Sequence, residues 1–502
     1  MTDVVSIDPR TGAAVETVTT ETTPDQVDAL VAAAAAAAPG LEALGRTGRA
    51  ELLDTLADAL EARREDVVAV ADRETGLGPG RLNGELTRTC FQLRLFGEVL
   101  REGSYVEATV DHAGDTPMGP RPDLRRMLVP LGPVAVFGAS NFPLAFSVPG
   151  GDTAAALAAG NPVVIKAHGS HPATSQLCAE ILAAAATKAG APDATTGIVH
   201  GLAAGAALVA APQIRAVGFT GSLTGGKALM EIIERRPEPI PFFGELASLN
   251  PVLVTPAAAA ERAAALGTGL VGSFTLGGGQ FCTKPGLTLL PAGPDGDAVL
   301  DAMAGAVRDA AAPVLLNAGI AQGYRTLSER LRGLPGVTTV ATGTTGEDTG
   351  GFTATPLLLA ANGLPDGLTE ECFGPLGVVV RYDGADELFA LLAALPSSLT
   401  ATVHRGTGET ELPGAVSAAL RPRAGRILFD GFPTGVAVSW AQHHGGPWPS
   451  TNTQHTSVGT TAIRRFLRPV TWQDAPAELL PTELVDGPID LPRRIDGVLV
   501  LP

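Results

Sequence analysis

The chain of 502 residues is 45% hydrophobic (AVILMFWYC), 17% charged and 4% aromatic, with mean hydropathy +0.22. At roughly 150 residues per domain this is enough apolar chain for two to four cored domains and excludes a disordered protein. Thirty-five Lys and Arg against 52 Asp and Glu leave a net charge of −17 without any basic block, so binding to nucleic acid or to anionic membranes is not expected.

The first twelve residues, MTDVVSIDPRTG, lack a basic stretch followed by an apolar run, so no secretory signal is expected. The Ala-rich stretches are short or carry charges and predict no membrane span. The first hundred residues read as helices. Thr23 and Pro24 provide an N-cap and a first-turn proline, and further helical patterns cover about 49–73 and 82–101. Residues 125–133 read as a short strand broken by prolines, at an edge or in a hairpin.

From residue 133 strands alternate with helices. Apolar strands at 134–137, 163–166, 197–200 and 216–220 are separated by helical patterns near 152–159, 173–189 and 203–210, and a further one follows at 225–235. This predicts an α/β fold with a parallel, helix-covered sheet of the nucleotide-binding kind. A second alternating block spans 251–429. The tail from 457 reads as strands and loops, at 461–470 and 491–501, that pack on a neighbour.

Gly267-Thr-Gly269-Leu-Val-Gly272 matches the dinucleotide fingerprint, but it follows a helical pattern and not a strand, so it reads as helix-packing glycine. In Phe219-Thr-Gly221-Ser222-Leu-Thr-Gly-Gly226 a strand leads in and a helix leads out, which offers free N–H groups to an anion. An ordinary strand-to-helix turn explains that segment equally well.

The four cysteines, Cys90, Cys178, Cys282 and Cys372, form no Cys-x-x-Cys pair, which argues for a reducing cytoplasm and against a disulfide framework or thiolate zinc site. Cys282 differs from the other three in its loop, Gly277-Gly-Gly-Gln-Phe-Cys282-Thr-Lys-Pro-Gly286. Such a setting suits a reactive thiol, and a small buried hydrophobe is the alternative. Glu245 is a lone carboxylate in the apolar run 242–251, where it has to be paired, neutralised or functional. Asn141 follows a strand end, where amides also simply cap turns. The pairs His168/His171 and His443/His444 lack zinc-motif spacing and are assigned to loops, so no metal is expected. No Gly-x-Ser-x-Gly occurs.

The ordered set Asn141, Lys166, Gly221-Ser222, Glu245, Cys282 and Glu371-Cys-Phe373-Gly-Pro375 resembles the aldehyde dehydrogenase superfamily over nearly the whole chain. Asn141-Phe142-Pro-Leu-Ala-Phe-Ser147, Gly150-Gly-Asp-Thr153, Lys166-Ala-His168, Arg236-Pro-Glu-Pro-Ile-Pro241, Gly279-Gln-Phe-Cys-Thr283 and Pro433-Thr-Gly-Val436 are similar to the branch of 2,5-dioxopentanoate (α-ketoglutaric semialdehyde) dehydrogenases and an NADP-linked fatty aldehyde dehydrogenase.

The resemblance implies two parallel-sheet domains and a bridging hairpin. The cofactor-binding domain would take 1–118 and 134–246, the catalytic domain 247–440, and bridging elements 119–133 and 457–502, in a homodimer or homotetramer. It implies Cys282 as nucleophile, Asn141 with the Cys282 N–H as oxyanion donors, and Glu245 as hydrolytic base with a pKa raised by apolar surroundings. Lys166 and Glu371 would hold the cofactor riboses, Gly221 and Ser222 the pyrophosphate, and Phe373 would pack near the nicotinamide. Many NAD-preferring relatives carry Glu at the position of Gly169. Its absence admits NADP beside NAD, with His168, Ser170 or His200 near the extra phosphate.

Arg88 and Gln92 lie four residues apart on a helix that lines the substrate tunnel of relatives, with Phe142 nearby. Either Arg88 makes a surface ion pair, or it binds a substrate carboxylate and favours 2,5-dioxopentanoate over a fatty aldehyde. A CoA-acylating enzyme and a non-catalytic binding protein are the other readings. Glu245 argues against the first, and the intact set of Cys282, Glu245 and Asn141 argues against the second.

Overall fold

The computed structural model describes residues 2–346 and 350–502. The short Val- and Ile-rich strands lie side by side in a five-stranded parallel sheet. Its order is Phe242–Glu245, Ala216–Thr220, Val134–Phe137, Val163–Lys166, Thr196–Val199. Val134–Phe137 is buried throughout, as a strand covered by helices on both faces must be. The helices Gly45–Ala62, Pro79–Glu102, Gly151–Ala159 and Pro172–Lys188 share a core containing Leu53, Leu56, Leu86 and Phe96. The chain runs outward from Val134–Phe137 on one side and returns on the other. A crevice therefore opens at the C-terminal ends of Val134–Phe137 and Ala216–Thr220, where such sheets bind ligands.

The second alternating block forms a seven-stranded sheet. Its order is Val337–Thr342, Leu357–Ala361, Leu376–Tyr382, Leu287–Pro291, Val252–Val254, Ser398–His404, Ala424–Phe429, and only the first pair is antiparallel. Gly267 sits inside the helix Pro256–Thr275, where a Cβ would come within 2.5 Å of the Ala302 Cβ, so the fingerprint match is a helix contact.

A third sheet, of five strands, contains Leu124–Pro130. This strand is paired on both sides, by Leu467–Gln473 and by Thr109–Asp111, so it is central and not an edge; the proline is its last residue and blocks no ladder bond. Thr109–Asp111, assigned by sequence to the cofactor-binding segment, thus pairs in one sheet with strands of the segments expected to bridge. That sheet is completed by Arg493–Ile495 and Val498–Val500.

The amino terminus departs from the helical reading. Asp3–Asp8 and Ala13–Thr20 form an antiparallel hairpin turned at Gly12 (φ +69°). The helical pattern over 49–73 is two helices, Gly45–Ala62 and Arg64–Thr75. Arg63 leaves helical geometry between them, and Glu65 and Asp66 favour a new start there. Thr23 caps the helix Pro24–Ala43 in a reciprocal bond pair with Gln26, as read. Among the described residues no single helix is long and apolar enough to cross a membrane.

Candidate active site

Loops that leave the five-stranded parallel sheet meet loops that enter the seven-stranded one. They enclose a cavity of about 360 Å³ lined by Asn141, His168, Gly221, Ser222, Glu245, Cys282, Glu371 and Phe373. Eight residues selected from sequence therefore share one cavity. A second cavity, of about 220 Å³, is lined by Arg88, Phe142, Phe146, Phe281 and Val436, and it also reaches Cys282. The thiol stands where the two spaces meet.

Backbone anchoring fixes the Cys282 loop. Asn250 Nδ2 donates to the carbonyls of Cys282 (2.8 Å) and Lys284 (3.0 Å), and Lys284 Nζ donates to those of Cys372 (2.8 Å) and Leu376 (2.9 Å). The second pair ties the segment holding Glu371 and Phe373 to the cysteine loop. Gly279 (φ +69°) allows the two to touch, because a Cβ there would stand 2.1 Å from the Gly374 carbonyl oxygen. Gly279→Ala should cost about 1–3 kcal/mol of stability and lower kcat/KM about tenfold or more through displacement of the thiol, checked by chemical denaturation and steady-state kinetics.

The loop after Val134–Phe137 is held from the helix Pro79–Glu102. Glu85 Oε1 accepts from the Leu144 and Ala145 N–H groups (2.8 and 2.9 Å), and Arg81 Nη2 donates to the Asn141 carbonyl (2.6 Å). The Arg81 guanidinium also lies over the rings of Phe142 and Phe281, joining the asparagine loop to the cysteine loop. Asn141 Nδ2 donates to the Gln280 carbonyl at 2.9 Å, which leaves its second N–H for another acceptor.

Glu245 is buried at the end of its strand. Its Oε1 lies 3.1 Å from His444 Nε2, its Oε2 accepts from the Ser457 hydroxyl (2.8 Å), and His444 Nε2 is 3.6 Å from Cys282 Sγ. The expected raised pKa of Glu245 is overturned. Burial pushes it up, but His444, Ser457 and the Cys282 thiol together hold the carboxyl below its ordinary range. Nε2 faces the carboxylate and so carries a proton, and Nδ1 is buried without a partner. Burial and the neighbouring Glu245 push the Cys282 thiol well up, so it rests as S–H against a ready acceptor.

His444 was missed in the sequence, where the histidine pair showed only a loop before Gly-Gly-Pro. Ser457 went unnoticed for a similar reason. The segment from 444 to 457 lies along Phe242–Glu245 through an isolated bridge between Glu245 and Thr451 and the bond from Leu246 N–H to the Ser450 carbonyl (2.8 Å).

Other selected residues fall around this centre. Lys166 ends its strand and is not part of the lining of the cavity of about 360 Å³, and burial lowers its pKa. Gly169 is exposed, and a Cβ there would meet nothing within 4 Å. Burial depresses the pKa of His168 well below normal, Ser170 Oγ accepts from Asn317 Nδ2 (2.6 Å), and His200 lines a different cavity with Thr22 and Gln176. Glu371 is pushed up by burial, with Lys284 opposing. Arg88 is not the surface ion pair of the simpler reading. Its Nε donates to the Val436 carbonyl (3.3 Å), its Nη1 to Gln92 Oε1 (3.3 Å), and Nη2 is buried without a partner. Gln92 is buried beside it and holds it from behind, outside the cavity lining.

A thiol in contact with a carboxylate, facing an amide donor, is equipped for covalent attack on a carbonyl. Residues 2–468 match the aldehyde dehydrogenase family. The chain belongs to that family. An α-ketoglutaric semialdehyde dehydrogenase of Azospirillum brasilense is 46% identical over 89% of this chain and 87% of its own length, and one of Acinetobacter baylyi is 44% identical over 90% and 87%. Among solved structures, a Bacillus cereus aldehyde dehydrogenase in complex with NAD+ superposes with a TM-score of 0.80 at 21% identity, covering 94% and 93% of the two chains. A Thermus thermophilus 1-pyrroline-5-carboxylate dehydrogenase variant gives 0.82 at 21%, over 94% and 89%. An aldehyde dehydrogenase of this family works with a nicotinamide cofactor, NAD or NADP.

Proposed function

We propose that this aldehyde dehydrogenase oxidises 2,5-dioxopentanoate to 2-oxoglutarate and accepts NADP. The names of its two semialdehyde-oxidising relatives support the substrate, and one observation carries the reading: Arg88, with a buried unpartnered N–H, lines the cavity that leads to Cys282. A carboxylate at the far end of a short oxo-acid would take that N–H and offset the burial of the guanidinium. The remaining walls, Phe142, Phe146, Phe281 and Val436, fit the carbon chain.

Cys282 Sγ attacks C5 of the aldehyde while its proton passes to Glu245. The oxyanion is held by Asn141 Nδ2 and the Cys282 N–H. Bound nicotinamide supplies the hydride acceptor, which leaves an acyl group on sulfur. Glu245 then gives the thiol proton up to solvent through the open cavity and, ionised again beside His444 and Ser457, takes a proton from water for hydrolysis. The cavity suits the cofactor: Gly221 and Ser222 precede the helix Leu223–Glu234, whose first N–H groups would face a bound phosphate, and Glu371 and Phe373 also line the cavity. Ser222 Oγ accepts the capping bond from Gly225 N–H (3.1 Å), and its own O–H is left to donate to a phosphate beside the backbone N–H groups. The exposed outer strand Val498–Val500 supports self-association as a homodimer or homotetramer.

Arg88→Met should lower kcat/KM for 2,5-dioxopentanoate by on the order of 10²-fold, the loss of a charge-assisted contact of about 2–3 kcal/mol, while sparing neutral aldehydes. Equal losses on both substrate types, or a wild type that prefers hexanal, would refute the substrate. Full activity without CoA separates hydrolysis from acyl transfer to CoA.

NADP should serve at least as efficiently as NAD, because the space beside Gly169 holds no carboxylate to repel a 2′-phosphate. Gly169→Glu should move the ratio of the two kcat/KM values toward NAD. A wild-type preference for NAD of about tenfold or more, some 1.4 kcal/mol, would contradict this.

A further inference from the structure

We propose that Glu245, Cys282 and His444 form a binding site for a borderline-soft divalent cation, with Zn²⁺ as the best fit, and that filling it reversibly shuts off aldehyde oxidation. The inhibition half rests on the reading of Cys282 as nucleophile; the binding half does not.

Among the described residues these three form a cluster in which one sulfur, one ring nitrogen and one carboxylate oxygen all lie within 4.8 Å of one another. Two of the three separations are close to those of tetrahedral coordination. Bonds of about 2.3 Å to sulfur and 2.0–2.1 Å to nitrogen or oxygen put S and N roughly 3.5 Å apart and N and O roughly 3.3 Å apart. The structure has Sγ to Nε2 at 3.6 Å and Nε2 to Oε1 at 3.1 Å. A thiolate, an imidazole and a carboxylate are the mixed set zinc takes and magnesium or calcium does not.

The surroundings favour occupancy. Ser457 O–H holds Glu245 Oε2 and so turns Oε1 inward, the kind of outer support that orients a ligand oxygen. Cys282 borders both cavities, so an ion can enter and keep water in its fourth position. On binding, the S–H bond breaks, the Zn–S bond forms and one proton leaves to solvent. The imidazole proton moves from Nε2 to Nδ1, freeing the Nε2 lone pair. Nδ1 has no acceptor waiting, so this ion is held less firmly than a structural zinc and a chelator removes it. With Sγ and Oε1 both bound to the metal, neither attack on the aldehyde nor activation of water can proceed.

The 502-residue enzyme, without cofactor, is titrated with Co²⁺ as a spectroscopic probe and with Zn²⁺ in a metal buffer. One equivalent of Co²⁺ should give a thiolate-to-cobalt charge-transfer band, one equivalent of Zn²⁺ should displace it, and either ion should protect Cys282 from iodoacetamide. Aldehyde oxidation should fall in step with occupancy and return with EDTA. His444→Gln and Glu245→Gln should each weaken Co²⁺ binding by on the order of 10- to 100-fold, and Ser457→Ala by about tenfold. Binding unchanged in His444→Gln and Glu245→Gln would overturn the three-ligand site in favour of a simple mercaptide. No band while Cys282→Ala proves inactive overturns the metal site and leaves the catalytic reading standing. A band with undiminished turnover at full occupancy overturns the inhibition and the role of Cys282 together.

Discussion

Cys282→Ala should lose aldehyde oxidation by on the order of 10⁴-fold or more, the scale seen when a catalytic nucleophile is deleted, while cofactor affinity stays within about twofold. The substitution removes only Sγ. The Cys282 N–H remains, and so do the Asn250 bonds to the Cys282 and Lys284 carbonyls, at 2.8 and 3.0 Å. The other cysteines cannot substitute. Cys90, Cys178 and Cys372 are buried, and burial pushes their thiols up, Cys90 to about 12 and Cys372 to about 11. None of the three lines either cavity at the centre. Steady-state cofactor reduction and the intact mass of an acyl-enzyme trapped with aldehyde check this. Residual activity above a trace, or an acyl group on another cysteine, would refute the assignment.

What the sequence disclosed depended on how local the signal was. Cys282 stood out because three glycines precede it, and the structure shows why: Gly279 needs positive φ and no Cβ where the Gly374 carbonyl approaches. Glu245 stood out as one charge in an apolar strand. Four strands of the five-stranded parallel sheet were legible because buried parallel strands are short continuous apolar runs, and they fall within a residue of their observed bounds. His444 had no such signature. It meets Glu245 across 199 residues through an irregular segment, and only the fold brings them together. The direction of the Glu245 shift failed for the same reason, since burial was readable and the donors opposing it were not. Arg88 shows a further limit. Helical spacing put it on one face with Gln92, but whether that face was solvent or cavity depended on the packing of loops at Phe146 and Val436. The amino-terminal hairpin was lost because its second strand, Ala13–Thr20, is largely exposed and carries no clean alternation.

Glu245→Gln should lower steady-state turnover by roughly 10²- to 10⁴-fold, the range for a lost general base, and leave a burst of reduced cofactor approaching one per site. Glutamine keeps the size of the side chain and one acceptor oxygen, enough for the Ser457 hydroxyl that now bonds Oε2 at 2.8 Å. Its amide cannot take a proton from water. Hydride leaves the substrate before hydrolysis begins, so the first turnover can still release its signal while the acyl group stays on Cys282. The burst should be slower than in wild type, because the thiol, still held up by burial, loses the carboxylate that takes its proton, with His444 left 3.6 Å from Sγ. Stopped-flow absorbance resolves the two phases, and hydroxylamine, which cleaves thioesters, should speed the slow one. Unchanged steady-state turnover would make Glu245 a structural carboxylate. Loss of the burst as well as of turnover would place its main task at attack on the aldehyde and not at hydrolysis.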